Sequence, residues 1–184
     1  LPIGSTVTVR GGSSSDSNRS GAVIGYSNKH GGGSNANVIN QETILADAAE
    51  QYLHINTRGT FSNQGTLEAK DGGTLNLDGA FTLADPAGLS VSGGTLRLAG
   101  TLDNTGGTLN LNELPAAGVV FAGGRIQGGT LATSDGSAYV LPDNANLTLD
   151  GVQLTADLTV GSGETLNLDG SWSNAATLTL EDGG

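Results

Sequence analysis

Gly73-Thr74-Leu75-Asn76-Leu77-Asp78-Gly79 returns as Gly94-Thr95-Leu96-Arg97-Leu98-Ala99-Gly100. Looser copies occupy residues 107–112, 146–151, 164–170 and 176–183. A second motif sets an Asn three residues before a Thr that precedes Leu or Ile, with Ile39, Phe61 or Trp172 leading, at Asn40, Asn63 and Asn174. Aligning Asn40 on Asn63 gives a step of 23, and aligning Leu75 on Leu96 gives a step of 21. Self-similarity at a fixed short period is the mark of a repeat architecture.

Inside each copy the apolar residues alternate, as in Leu53-His54-Ile55, Leu96-Arg97-Leu98, Leu109-Asn110-Leu111, Leu147-Thr148-Leu149 and Leu166-Asn167-Leu168. A period of two belongs to a strand with one buried face. Glycine recurs every eight to twelve residues and would interrupt any helix. Residues 43–53 also read as extended, with a turn around 47–50. The expected fold is therefore all-β: a single-domain parallel β-helix, or β-solenoid, with about twenty residues per coil and a core supplied by stacking. An antiparallel sandwich would need longer strands and no fixed repeat.

The core ladder should hold Leu75, Leu77, Leu96, Leu98, Leu109, Leu111, Leu166 and Leu168, with Trp172 replacing Phe61 at a buried repeat position. Asn40, Asn63 and Asn174 should stack as a ladder of side-chain amides at one corner. The outward column reads His54, Asn76, Arg97, Asn110, Thr148, Asn167 and Thr179, too irregular for the flat Thr face of an ice-binding solenoid. Residues 1–38 differ in texture and are expected to form an N-terminal cap or first coil with Ser/Gly-rich loops, ahead of solenoid repeats over 39–184.

Composition agrees. The 184 residues include 31 Gly, 4 Pro and no Cys, so neither collagen triplets nor a disulfide or thiolate–metal framework is available. There is no Met, so a processed product or an excised segment is expected. No apolar run has the length of a membrane span. A net charge of −11 disfavours nucleic acid and anionic lipid as partners. The charge is uneven. Residues 1–38 set Arg10, Arg19 and Lys29 against Asp16, while no Lys or Arg follows Arg125.

Residues 39–44, then Phe61-Ser62-Asn63-Gln64-Gly65-Thr66-Leu67 running into Gly72-Gly73-Thr74-Leu75, together with Gly123-Gly124-Arg125-Ile126-Gln127-Gly128-Gly129-Thr130-Leu131, resemble the β-helical repeats of bacterial autotransporter passengers and filamentous-haemagglutinin-like adhesins. The resemblance spans roughly residues 39–184. It implies a secreted or outer-surface bacterial protein with an adhesive or scaffolding role.

β-Helices also carry polysaccharide-acting enzymes, whose chemistry needs a base beside acidic calcium ligands or carboxylates at fixed separation. The residues to weigh are Asp71, Asp78 and Asp85 with Lys70 and Arg97. Copies of the Asp78 position hold Ala99, Asn112, Asp150 and Asp169, which is turn chemistry, so no catalytic residue, cofactor or enzymatic role is expected. His30 and His54 read as solvated. Calcium on stacked corner aspartates Asp78, Asp150 and Asp169 is the one metal reading left open. Open solenoid ends offer unpaired backbone, which suggests self-association head to tail, Arg10, Arg19 and Lys29 meeting Glu181 and Asp182, or continuation of a longer chain. Cell-surface glycan or matrix is the other class of partner.

Overall fold

The computed structural model describes residues 2–3, 8–11, 22–26, 35–84, 88–115 and 117–182, and in it the chain winds as a parallel β-solenoid. Three strands make a turn. In chain order these are β1 (Pro2–Ile3), β2 (Val9–Arg10) and β3 (Ala22–Gly25); β4 (Val38–Asn40), β5 (Thr43–Ala46) and β6 (Tyr52–Asn56); β7 (Thr60–Asn63), β8 (Thr66–Lys70) and β9 (Thr74–Leu77); and β10 (Ala80–Leu83), β11 (Leu89–Ser92) and β12 (Thr95–Leu98). Next come β13 (Thr101–Asp103), β14 (Thr108–Asn110) and the first half of β15 (Val119–Gln127). The second half of β15 begins the following turn with β16 (Thr130–Ala132) and β17 (Tyr139–Val140). β18 (Asn146–Asp150), β19 (Gln153–Leu154), β20 (Leu158–Val160), β21 (Thr165–Asp169), β22 (Ser173–Asn174) and β23 (Leu178–Leu180) complete the stack. There is no α-helix among the described residues, and a 3-10 turn lies at Leu111–Glu113.

The first face is one continuous parallel ladder, β1-β4-β7-β10-β13-β15-β18-β21. The second carries β2-β5-β8-β11 and, separately, β14-β16-β19-β22; the third carries β3-β6-β9-β12-β15 and, separately, β17-β20-β23. The nine-residue β15 bridges faces by turning a corner: Val119–Phe121 pair with β12, and 125–127 pair with β13. The bend is a bulge between Ala122 and Gly124, where Gly123 sits at φ 83°, open to glycine at little cost.

Partners on adjacent turns lie 20 residues apart at Phe61 and Phe81, 21 at Thr74 and Thr95, 23 at Ile44 and Leu67, and 24 at Leu102 and Ile126. The turns therefore repeat about every 22 residues. β1, β2 and β3, which fall in the 1–38 segment, pair with β4, β5 and β6 as further members of the same ladders.

The alternation fills the core as the sequence implies. β12 and β8 bury every second residue, and Leu75, Leu77, Leu96, Leu98, Leu109 and Leu111 are buried. A fully buried Leu is worth about 1.5–3 kcal/mol relative to an exposed one, so the column dominates the favourable energy. Leu166 and Leu168 depart from the expectation. They pack against the core but stay half-exposed, because β21 has a neighbour on one side only. Trp172 is not at a buried position either; it is 39% exposed.

The outward column also needs correcting. His54, Asn76 and Arg97 are successive partners on the third face, followed by Val120. Asn110 stands on the second face, Thr148 and Asn167 on the first, and Thr179 in the separate β17-β20-β23 sheet. A Thr-Leu-x-Leu stretch specifies a strand with one face inward, and all three faces make that same demand.

Close stacking explains much of the glycine. A Cβ on Gly100 would lie 2.0 Å from the Gly79 carbonyl oxygen, and one on Gly65 would lie 2.1 Å from that of Glu42. Neither sits at positive φ; the backbone of the preceding turn occupies the space a side chain would need.

Candidate functional sites

The corner amides come first. Asn40 and Asn63 are ladder partners, both buried, and Asn40 Nδ2 donates to Asn63 Oδ1 at 2.7 Å. Each also donates to a carbonyl two residues on, Asn40 to Glu42 at 3.0 Å and Asn63 to Gly65 at 2.8 Å. Asn174 is not in this ladder. It pairs with Leu154 on the second face, is exposed, and accepts from the Ala176 N–H at 2.9 Å. The shared motif therefore specifies a kind of corner, an Asn closing a local turn, and that corner can stand between any two faces. In the ladder the place above Asn63 belongs to Leu83. The amide returns at Asn104, whose Nδ2 donates to the Gly128 and Thr130 carbonyls. The sequence motif passes over it because Leu102-Asp103-Asn104 is not followed by Thr at the right spacing.

Of the three aspartates expected to stack at one corner, two are brought together and Asp78 is not. Asp150 and Asp169 are direct partners on the first face, and like charges placed opposite one another repel. Arg125 answers them. Its Nη1 lies 2.7 Å from Asp150 and its Nη2 3.1 Å from Asp169. The two carboxylates raise its pKa through those hydrogen bonds, Asp150 having the larger effect. Here a guanidinium bridges two of the three aspartates on which calcium was the one metal reading left open. The stacking of Asp150 on Asp169 is legible from the Leu-x-Leu-Asp-Gly copies, and Arg125 is the last cation of the chain. Its reach across two turns is set by the register.

Asp78 is elsewhere, just after β9, and its Oδ2 lies 2.6 Å from His54 Nδ1. His54 is not solvated as expected: it is 2% exposed, and its Nε2 is buried with no hydrogen-bond partner. Tyr52 stacks beside it with ring centroids 6.1 Å apart. Asn76, Asn56 and Thr57 are buried too, and Asn56 Nδ2 donates to the Tyr26 carbonyl at 2.9 Å. Arg58 lies over the Tyr26 ring, 3.5 Å from its centroid. This outward stretch of the third face is a buried polar patch, which alternation alone cannot reveal, because it assigns direction and not cover.

Asp71 and Asp78, the described aspartates weighed for catalysis, stand at opposite ends of one strand. Asp71, exposed and at φ 52°, precedes β9, whereas Asp78 follows it. The intervening four-residue strand spans on the order of 13 Å, against about 5–9.5 Å for paired carboxylates in glycoside hydrolysis. Lys70 and Arg97 are half-exposed on β8 and β12. Asp85 lies outside the described residues, as do His30, Arg19 and Lys29. Of the expected assembly residues, Arg10 is held by Asp47, its Nε 2.5 Å from Oδ2, while Glu181 and Asp182 are exposed.

No group of three or more His, Asp or Glu residues placed to hold a metal occurs among the described residues, and no helix there is long and apolar enough to cross a membrane. No family model, curated protein or solved structure matches the chain.

Proposed function

We propose that this chain is a non-catalytic extracellular β-solenoid, the rod or stalk of a bacterial surface protein that makes cell-surface or matrix contacts. The observation that carries the reading is the unbroken first face, with a Leu-lined core running behind it through the described turns. A stack of this kind gives length and stiffness from a short repeat. The likeness of residues 61–75 and 123–131 to autotransporter-passenger and haemagglutinin-like repeats supports the same assignment, as does the small number of exposed large apolar residues among the described residues. Secretion to the outer surface belongs to the proposal, with glycan or matrix as partner and no cofactor required. The test is binding of the immobilised folded chain to a panel of surface glycans and matrix proteins, with Leu96→Asp as the unfolded control. Retention by the folded chain alone is the expected result. Release of reducing ends from a polysaccharide would overturn it in favour of an enzyme.

A second reading has its own observation. On the last described turn Leu166, Leu168 and Leu178 are half-buried and Leu180 is 65% exposed, beside the acidic Glu181 and Asp182. An apolar rim edged with acid suits stacking on the first turn of another copy, where Arg10, already paired with Asp47, is the one described cation, and such a heterologous contact propagates as a filament. Electron microscopy across protein concentration and salt separates the two. Unbranched filaments with an axial repeat of one rod length support assembly, and discrete short rods at all concentrations exclude it.

A further inference from the structure

The third face is broken between β15 and β17. Val119–Phe121 pair with β12 and with nothing on the opposite side of that face, while β17 pairs only with β20. A longer excursion of the chain accompanies the break. Between β14 and β15 it makes the 3-10 turn Leu111–Glu113 and runs on to Gly118, where the corresponding corners after β8 and β11 take only residues 71–73 and 93–94. The wall opens there into a groove of about 330 Å³, lined by Leu111, Leu114, Val119, Tyr139, Val140 and Pro142. Its floor is buried core, Leu111, Leu114 and Val119; its lip is Val140, 61% exposed.

Besides the Tyr139 hydroxyl and the Asn112 amide, whose Oδ1 accepts from Ser134, the polar groups at this groove belong to the backbone. The N–H groups of Tyr139 and Leu141 donate to the Asp157 and Thr159 carbonyls on the β20 side, at 2.8 and 3.0 Å. Alternation along a parallel strand then directs the N–H and C=O of Val140 toward the groove. On the other wall Gly118 accepts from Leu96, which turns Val119 toward the groove in the same way. Free strand edges of this kind are templates for another strand. The surroundings are acidic: exposed Glu113 and Asp143 adjoin the lining residues Leu114 and Pro142, and no Lys or Arg follows Arg125.

We propose that this groove is a docking site for an extended segment of a partner protein, with apolar side chains at alternate positions and Lys or Arg at its flanks, added as a strand to the free edge of β17. The backbone edge supplies register, the Leu111–Leu114–Val119 floor takes the inward side chains, and the acids favour the basic flanks while disfavouring a second copy of this acidic chain.

The test uses the intact protein and a fluorescein-labelled Lys-Thr-Val-Thr-Val-Thr-Lys peptide followed by anisotropy at low salt. Two further peptides are N-methylated, one on the odd amides and the other on the even ones. Strand addition uses one edge of the peptide, so one methylated form should bind at least tenfold more weakly and the other unchanged. Val140→Lys, at an exposed lip, should also weaken binding about tenfold while leaving the circular-dichroism spectrum intact. Absence of binding at millimolar peptide, equal effects of both methylation patterns, or a dimer in sedimentation that Val140→Lys dissolves would each overturn the proposal. Because the readout is peptide affinity, it stands apart from whether the chain binds glycans or forms filaments.

Discussion

His54 Nδ1 and Asp78 Oδ2 lie 2.6 Å apart, joining β6 to the corner that follows β9, with their side chains 3% and 9% exposed. One ring nitrogen is satisfied and the other, Nε2, is buried without a partner. Taking the carboxylate away leaves both nitrogens without a hydrogen bond, and an unsatisfied buried polar group costs about 1–3 kcal/mol. Asp78→Ala should therefore destabilise by about that amount in urea, whereas Asp78→Asn, which keeps an acceptor oxygen, should recover much of it. Equal losses in the two variants would show that the hydrogen bond is not what the site supplies.

The Asn motif offers an internal control. Asn63 is 1% exposed and takes the Asn40 amide at 2.7 Å, while Asn174, in the same motif, is exposed. Asn63→Ala removes an acceptor from Asn40 and a donor from the Gly65 carbonyl, for an expected cost of about 2–3 kcal/mol. Asn174→Ala loses one solvated turn hydrogen bond and should cost roughly 0.5 kcal/mol or less. Chemical denaturation of the two variants side by side decides whether burial or motif membership sets the importance of a corner Asn.

Recurrence and alternation revealed the solenoid because both are local properties. Leu75-Asn76-Leu77 must face one side inward wherever it lies, and a step of 21 from Leu75 to Leu96 matches their ladder pairing. Which of three faces a copy occupies depends on the number of residues spent at each corner, so Asn174 and Thr148 are assigned correctly to strands and corners but to the wrong columns. Contacts that cross turns were harder still. The distance from Arg125 to Asp169 is 44 residues in sequence and 3.1 Å in space, and nothing in either residue's neighbourhood encodes it. The gap between β15 and β17 likewise arises from how neighbouring turns differ, the excursion from β14 to β15 being longer than the equivalent corners.

Gly100 tests the closeness of stacking. A methyl group there meets the Gly79 carbonyl at 2.0 Å, so the turns must separate or the corner must shift. Gly100→Ala is expected to cost about 1–3 kcal/mol, the range for overpacked interiors. Gly106→Ala makes a useful contrast: it lies at φ 75° with no atom within 4 Å of the added Cβ, so its cost comes from backbone conformation alone, about 1 kcal/mol. A larger loss at Gly106 than at Gly100 would contradict the stacking argument.

Acid and alkali should loosen the fold through different residues. Asp103 is held below its usual 3.8 by the Thr105 side chain and then by the Thr105 N–H at 3.0 Å. Asp47 is held down chiefly by its hydrogen bond from Arg10, and Asp135 by that from Ser137. In this range the unfolded chain binds more protons than the folded one, so stability rises with pH. The contribution is fully present above 3.8 and is lost as pH falls through the lower folded values. Tyr139 runs the other way: burial raises it above its usual 10.0, so its contribution is present below that pH and lost as pH climbs through the folded value. Asp103→Asn should flatten the acid arm of the stability curve and leave the alkaline arm alone, while Tyr139→Phe should do the reverse. Thermal melts from pH 2 to 12 on the three proteins check both signs, and an acid arm unchanged in Asp103→Asn would remove that carboxylate from the account.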